Sequence, residues 1–215
     1  MVRSLYGYYI NLDKRTDRLQ HFESNVKNHT LFNNIERIKA IQHKDGALGC
    51  AYSHLLSLQT AKRNYGHLEY IAVFEDDFTV LNEDNYTSFT EAFDKIKSSN
   101  EWDIIVLTPR GIPKIVSQNI LTQNKFNVIT DAQTMTGYII KMSYVDVLMQ
   151  NLKNSIYNQF SGGDKNIYAC DQYWKNLQTS NRFYYFTSVF AGQLVGWSDI
   201  ECRKINYNER FMNQK

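Results

Sequence analysis

The stretch Ile71-Ala72-Val73-Phe74-Glu75-Asp76-Asp77-Phe78 joins a continuous apolar run directly to three adjacent acidic residues. Such an apolar run is typical of a buried parallel strand, and in open α/β sheets ligands bind beyond the carboxyl ends of the strands. Because three neighbouring carboxylates repel one another, a bound cation would compensate their charge. Hard oxygen ligands suit Mg²⁺ or Mn²⁺. The stretch therefore predicts a divalent metal site at the end of a central strand.

The side chains within this acidic motif (Glu75-Asp76-Asp77) are expected to diverge. Alternation along an extended strand sends Glu75 and Asp77 to one side of the sheet and Asp76 to the other. At most two of the carboxylates then face one ion, unless the chain turns within the motif. The alternative interpretation is a solvated turn whose acidic residues cap the next helix.

The rest of the chain alternates short apolar runs with amphipathic segments, which favours an α/β fold with a mostly parallel central sheet flanked by helices. Strands are predicted near residues 5–12, 35–41, 70–74, 102–107, 136–141 and 183–190, with one or two edge strands within the polar stretch 112–131. Helices are predicted after the first strand, over about 46–64, and after Asp171. Another helix is predicted to run from an N-cap at Ser143 to Leu152. The segment 154–166 is predicted to be a loop. A length of 215 residues indicates a single domain over 1–215.

Composition narrows the classes of partner. A formal charge of +2 provides no long-range field for nucleic acid, so no nucleic-acid partner is expected. The three widely spaced cysteines (Cys50, Cys170 and Cys202) form neither a metal-ligand pattern nor a disulfide framework, which favours a reducing compartment. The N-terminal residues contain no signal-peptide core, and no run approaches a membrane span. We therefore expect a cytoplasmic protein without a transmembrane segment.

Polar and basic residues directly follow the first strand, from Asn11 to Arg18. A helix N-terminus with free amides is a ready anion site, and Arg15 or Arg18 would add charge-assisted bonds to a phosphate. The alternative is that Asp13 or Thr16 caps the helix and the arginines are surface charges.

Three further positions are candidates for chemistry. Gly46 and Gly49 permit close backbone approach near Ser53 and His54, although a lone helical histidine is more often structural. Asp171 follows a predicted loop and is either a general base or a helix N-cap. The pair Ser198-Asp199 is either a turn or a segment that closes over a nucleotide.

Taken in order, these landmarks resemble glycosyltransferase family 25, the family of lipopolysaccharide-modifying enzymes and collagen galactosyltransferases. The resemblance runs from about Tyr8 to Glu201. Its landmarks are Ile10-Asn11-Leu12-Asp13 with Arg15 and Arg18, Gly46 with Gly49-Cys50 and Ser53-His54, Phe74-Glu75-Asp76-Asp77, Trp102-Asp103-Ile104-Ile105, Thr136 with Tyr138, Asp171, and Ser198-Asp199-Ile200-Glu201.

The resemblance implies a GT-A-type fold that binds a nucleotide-diphospho-sugar. It also implies transfer of a hexose, galactose or glucose, from a UDP-sugar to a hydroxyl of a saccharide or glycoprotein acceptor, with inversion and with Mn²⁺ or Mg²⁺ as cofactor. On this resemblance Glu75 and Asp77 are the predicted metal ligands and Asp171 is the candidate base. The residues assigned to the donor site are Asn11, Arg15, Arg18, Ser53, His54, Asp76, Ser198 and Asp199.

One departure from the family pattern concerns the metal. Collagen-modifying relatives carry a histidine before the Ser-Asp pair, whereas 187–193 contains none here. Gln193 or Asp199 is the nearest substitute, unless water fills the position.

Two other functions are consistent with the residues: an inactive sugar-nucleotide-binding module on the same fold, and a metal-dependent nucleotidyltransferase. The second is disfavoured because the first loop, 11–18, lacks the glycines of a phosphate-binding loop.

Overall fold

The computed structural model describes residues 4–110, 115–118, 125–199 and 203–208. The strands are β1 (Tyr6–Asn11), β2 (Asn34–Lys39), β3 (Tyr70–Glu75), β4 (Phe78–Val80), β5 (Ile104–Val106), β6 (Ile115–Gln118), β7 (Phe126–Ile129), β8 (Gly137–Lys141), β9 (Phe183–Phe186), β10 (Ala191–Gln193), β11 (Gly196–Ser198) and β12 (Arg203–Ile205). The helices are α1 (Thr16–His21), α2 (Gly46–Tyr65), α3 (Glu83–Ile96), α4 (Val145–Phe160), α5 (Lys165–Tyr168), α6 (Cys170–Tyr173) and α7 (Lys175–Gln178). A π-helical segment (Phe22–Val26) extends α1, and 3-10 turns occur at Thr30–Phe32 and Met142–Tyr144.

An eight-stranded sheet forms the centre, in the order β2-β1-β3-β8-β5-β9-β7-β6. Strands β7 and β8 run antiparallel to their neighbours, while the other strands share one direction. The predicted α/β fold with a mostly parallel sheet is therefore confirmed. Two small antiparallel pairs, β4 with β10 and β11 with β12, lie outside this sheet.

Helices cover both faces of the sheet, and β3 shows why. Since successive side chains of a strand point to opposite faces, Ile71 and Val73 enter the core that α2 and α4 cover. Ala72 and Phe74 enter the second core, with the buried side chains of α3 and of the α1 extension. A strand that is buried on both faces reads as an unbroken apolar run, as the sequence of β3 does.

Gly7 allows the first and third strands to approach closely. Its φ is +151°, and a Cβ at this position would lie 1.8 Å from the carbonyl oxygen of Ala72. This approach aligns the ends of the two strands, because Ile10 of β1 lies opposite Glu75 of β3. The residues that follow each strand consequently meet at one edge of the sheet.

Two local predictions are wrong. Ser143 does not cap a helix: it lies in the 3-10 turn Met142–Tyr144, and α4 begins at Val145 after a residue that makes no side-chain cap. The segment 154–166 is not one long loop, because α4 continues to Phe160. Buried Leu148, Leu152 and Ile156 at helical spacing explain this continuation, since the packed face overrides the polar residues between them.

Within the described residues, the polar stretch 112–131 contains one predicted edge strand, β6, together with β7, which is not at the edge because it pairs with both β6 and β9. Its parts at 112–114 and 119–124 lie outside them, as do Cys202 and the landmark residues Ile200 and Glu201. Within the described ranges, no helix is both long and apolar enough to cross a membrane.

Candidate active site

The acidic motif turns where β3 ends. Glu75 is the last residue of β3, and the chain reverses at Asp76 and Asp77 before β4 begins at Phe78. All three carboxylates line one cavity of about 330 Å³. The alternation expected for an extended strand therefore does not apply to all three side chains, because the chain turns within the motif, which was the exception considered from the sequence. Asp76 and Asp77 face the same cation, Arg18, whereas Glu75 faces the helix α2.

Asp77 is the carboxylate with the least compensation. Its Oδ2 lies 3.2 Å from Nη1 of Arg18, while its Oδ1 is buried without a hydrogen-bond partner. Burial raises the pKa of Asp77 to about 7; Arg18 and the nearby Gln193 side chain oppose this shift, whereas the neighbouring Glu75 and Asp76 reinforce it. An ionised Asp77 thus needs more positive charge than Arg18 supplies.

Asp76 is held on both oxygens. Arg18 Nη1 donates to Oδ1 at 2.9 Å, and Asn11 Nδ2 donates to Oδ2 at 2.7 Å. Asn11 in turn accepts from Arg37 Nε at 3.0 Å. Burial nevertheless raises the pKa of Asp76 above its ordinary value. Asn11 itself is buried and is not among the residues that line the cavity, so it positions Asp76 from behind.

Basic side chains form the wall next to these carboxylates. Arg15 Nη1 donates to the carbonyl oxygen of Trp197 at 3.1 Å, and Arg18 Nη2 donates to the same oxygen at 2.9 Å. Asp199 pairs with Arg15 at 2.6 Å and with Lys14 at 2.9 Å. The Ser198-Asp199 segment therefore closes onto the first loop, and Lys14, Arg15, Arg18, Ser198 and Asp199 all line the cavity.

The alternative in which this loop merely caps a helix is wrong. The N-cap residue of α1 is Arg15, and its side chain makes no capping hydrogen bond. Asp13 instead pairs with Arg37 and Lys39, at 2.6 Å and 2.5 Å. The two arginines are consequently cavity residues and not free surface charges.

Glu75 points toward helix α2. Its Oε1 lies 3.3 Å from Nε2 of His54, and its Oε2 accepts from Thr136 at 3.2 Å. His54 is fully buried and does not line the cavity. Burial disfavours its charge, but Cys50 and Glu75 outweigh burial and raise the pKa of His54 to about 9. Ser53 lines the cavity and accepts from the backbone N–H of Ile41 at 2.8 Å.

Asp171 lies on a different part of the cavity wall. Gln133 Nε2 donates to its Oδ2 at 3.0 Å, and Arg110 Nη2 lies 3.9 Å from the same oxygen. The Arg110 guanidinium stacks 4.5 Å from the centre of the Tyr207 ring. Burial raises the pKa of Asp171. The N-cap alternative is wrong, because Ala169 occupies that position of α6.

Gln193 brings a further oxygen to the acidic motif. Strand β10 pairs with β4 so that Gln193 lies opposite Phe78, and the N–H of Leu194 donates to the backbone oxygen of Asp77 at 2.6 Å. The Oε1 of Gln193, like Oδ1 of Asp77, is buried without a hydrogen-bond partner. Two hard oxygen atoms that line one cavity, one from the turn between β3 and β4 and one from β10, are of the kind that a divalent cation binds. Asp199, the other substitute considered from the sequence, already pairs with two cations.

Sequence reasoning missed Arg110, Gln133 and Tyr207. Arg110 lies four residues beyond the end of strand β5, so the rule that ligands bind beyond strand ends would have identified it. Gln133 and Tyr207 carry no such signal, because only the fold brings them to Asp171 and Arg110.

Solved structures with the same fold include a glycosyltransferase involved in the glycosylation of the major capsid of PBCV-1, with a TM-score of 0.53, 9% identity and 98% of both chains covered. The protein A197 from STIV matches with a TM-score of 0.49, 11% identity, and 94% of this chain and 93% of that one covered. A UDP-glucose pyrophosphorylase complexed with UDP-glucose matches at 0.43 and 12% identity, over 83% and 71% of the two chains. At 9% identity the first match shows the fold and not the function. The other two have TM-scores below 0.5 and support no conclusion. A comparison with curated proteins gave no match.

The fold is therefore a GT-A-like glycosyltransferase fold. The family model "Glycosyltransferase family 25 (LPS biosynthesis protein)" matches residues 44–173, more than half of the sequence, so the chain belongs to glycosyltransferase family 25. It is a glycosyltransferase that takes a nucleotide-sugar donor and an acceptor.

Proposed function

We propose that this protein is a metal-dependent inverting hexosyltransferase, a single domain over 1–215, that moves galactose or glucose from a UDP-sugar to a hydroxyl of a saccharide or glycoprotein. The observation that carries the proposal is the incompletely compensated carboxylate of Asp77 beside Arg18 in the cavity. A nucleotide diphosphate bound through a divalent cation matches that arrangement, because the cation satisfies the carboxylates and the diphosphate satisfies the basic wall.

The leaving diphosphate lies, on this proposal, against Lys14, Arg15 and Arg18. Charge-assisted hydrogen bonds from a guanidinium to phosphate oxygens are strong and directional. These cations stabilise the negative charge that builds on the diphosphate as the bond to the sugar breaks. Asp199 and the Trp197 carbonyl oxygen hold Arg15 in place, so the C-terminal segment preorganises the basic wall.

Asp77 and Gln193 are the residues that would hold Mn²⁺ or Mg²⁺. The ion, when bound, supplies charge neutralisation to the diphosphate. Asp76, which Arg18 and Asn11 fix in place, adds negative charge at this end of the cavity. Glu75, the second metal ligand proposed from the sequence, has both oxygens engaged by His54 and Thr136, so we rank it below Gln193.

Asp171 is the proposed general base. It takes the proton of the acceptor hydroxyl while that oxygen forms its bond to the anomeric carbon and the carbon–oxygen bond to UDP breaks. A single displacement of this kind inverts the anomeric centre. Burial raises the pKa of Asp171, which makes the ionised carboxylate a stronger base than an exposed one. Gln133 and Arg110 orient its oxygens.

A turnover assay with matched variants tests this function. We would incubate the protein with UDP-galactose, UDP-glucose, GDP-mannose and CMP-sialic acid, with Mn²⁺ and a panel of saccharide and glycopeptide acceptors, and measure nucleotide release. The expected result is acceptor-dependent release of UDP that EDTA abolishes and Asp171→Asn strongly reduces. The matched control is Asp146→Asn, since Asp146 is an exposed carboxylate of α4 that pairs with Lys62.

Two results would contradict the proposal. One is turnover of GDP- or CMP-sugars in place of UDP-sugars. The other is a product whose anomeric configuration, read by NMR, matches that of the donor. UDP binding without turnover on any acceptor would instead support a sugar-nucleotide-binding module.

A further inference from the structure

A second cluster of potential metal ligands lies beside the acidic motif and differs from it in chemistry. It consists of Cys50, His54 and Glu75, whose ligand atoms all lie within 4.8 Å of one another. The Cys50 sulfur lies 3.6 Å from Oε1 of Glu75, and Nε2 of His54 lies 3.3 Å from the same oxygen. The glycosyl transfer described above uses neither the thiol nor the imidazole.

The fold places these side chains on rigid elements. Cys50 and His54 are four residues apart in the long helix α2, so they share one face of it. Glu75 ends the central strand β3. The second nitrogen of His54, Nδ1, lies 3.3 Å from the hydroxyl of Tyr138. A ring nitrogen fixed by a second partner is the usual arrangement of a histidine that ligates a metal through its other nitrogen.

We propose that Cys50, His54 and Glu75 bind a zinc ion. Tetrahedral zinc with ordinary bond lengths separates neighbouring sulfur, nitrogen and oxygen ligands by about 3.3–3.8 Å. The separations of 3.6 Å and 3.3 Å fall within that range. A second sulfur, that of Cys170, lies 3.9 Å from the first, but it is not one of the three clustered donors, so water would complete the coordination of the ion. Cys50, Glu75 and Cys170 line the cavity, which provides a path of entry.

This site is distinct from the oxygen site of Asp77 and Gln193. Thiolate and imidazole ligands select zinc, whereas carboxylate and amide oxygens suit Mn²⁺ or Mg²⁺. Zinc binding displaces the thiol proton of Cys50 and requires a neutral His54, and the released protons pass to solvent. The ion would tie α2 to β3 beside Asp76 and Asp77 of the acidic motif. The wide spacing of the cysteines conceals such a site in the sequence, because its ligands meet only in the fold.

Cobalt substitution tests the zinc site without reference to activity. The full chain, stripped of metal with a chelator and kept reduced so that Cys50 and Cys170 remain thiols, is titrated with Co²⁺ and then with Zn²⁺. We expect a cobalt–thiolate charge-transfer band that zinc abolishes, and one zinc ion per chain by elemental analysis after dialysis. Cys50→Ala and His54→Gln should each weaken zinc binding by more than about 100-fold, because even the loss of an outer partner costs up to that much.

The matched control is Asp77→Asn, which should keep the thiolate band although it removes an oxygen ligand of the proposed donor site. Absence of the thiolate band in the folded wild-type protein would overturn the proposal, whether or not the variants fold. So would an unchanged band in Cys50→Ala. In either case the cluster is a hydrogen-bonded ion pair. A failure of sugar transfer would leave these readouts unaffected, so the two proposals fail separately.

Discussion

Nη1 of Arg18 lies 3.2 Å from Oδ2 of Asp77, so the first helix delivers a cation to the last carboxylate of the acidic motif. The same nitrogen bonds Asp76 at 2.9 Å. Burial still raises the pKa of both carboxyl groups. One guanidinium is therefore insufficient for two buried carboxylates, and the cavity favours additional positive charge.

Arg18→Met should damage both stability and turnover. Removing one partner of a buried ion pair costs about 3–5 kcal/mol, and the Arg18 side chain is 13% exposed. We expect the free energy of unfolding in EDTA, measured with urea, to fall by about 3 kcal/mol, and turnover to fall more than about 100-fold. Arg63→Met, on the exposed end of α2, is the control and should change neither. Wild-type turnover in Arg18→Met would contradict a role in stabilising the diphosphate.

The metal-free protein should lose stability as the pH rises through the pKa of Asp77. That pKa is about 7 in the folded protein against an ordinary 3.8, so the folded state binds the proton more tightly than the unfolded chain. The resulting stabilisation is complete below about pH 4 and disappears above about pH 7, with a total near 4 kcal/mol as an upper bound.

Asp77→Asn cannot ionise and provides the comparison for this pH effect. Its free energy of unfolding, measured with urea in EDTA between about pH 5 and pH 8, should decline less than that of the wild type. Equal slopes for the two proteins would show that Asp77 ionises normally.

Asp171→Asn separates catalysis from donor binding. Loss of a general base lowers turnover by about 10²–10⁴-fold, whereas UDP affinity should stay within about twofold because Asp171 lies apart from the basic wall. In the wild type, the raised pKa of Asp171 should place the acid limb of kcat/KM at a higher pH than an ordinary carboxyl gives. Calorimetry with UDP and a pH–rate profile measure both quantities. An equal loss of turnover and UDP affinity would assign Asp171 to binding instead.

Gly7→Ala tests the close approach of β1 and β3. A Cβ on Gly7 would lie 1.8 Å from the Ala72 carbonyl oxygen, so the strands must separate. We expect a loss of more than about 4 kcal/mol in unfolding free energy, a size reserved for such core disruptions. Gly196→Ala is the control, because its Cβ would meet no atom within 4 Å. Equal stability of both variants, by circular dichroism during urea unfolding, would contradict the proposed packing.

The framework of the fold could be predicted because its elements have strong local signals. The unbroken apolar run of β3 and the helical spacing along α2 both correspond to observed elements. The end of α4 could not be predicted in the same way, since packing of Ile156 extends the helix through polar sequence. Ser143 shows the converse, because a residue suited to capping lies in a 3-10 turn one residue too early.

The candidate site was predictable as a set of residues but not as a set of contacts. Arg18 and Asp77 both follow strand ends, yet nothing in the sequence pairs one with the other. Glu75 faces His54 because it continues the alternation that sends Ile71 and Val73 of β3 toward α2, whereas Asp77 lies in the turn that follows the strand. Gln193 reaches Asp77 through pairing of β10 with β4, which joins segments far apart in the chain.

Calorimetric titration of UDP with and without Mn²⁺ tests the central claim, that the Asp77 carboxylate holds a cation for the diphosphate. For the wild type we expect Mn²⁺ to tighten UDP binding at least tenfold, about 1.4 kcal/mol, and for Asp77→Asn we expect Mn²⁺ to have no effect. Wild-type UDP affinity that is independent of Mn²⁺, or an equal effect of Mn²⁺ on Asp77→Asn, would contradict it.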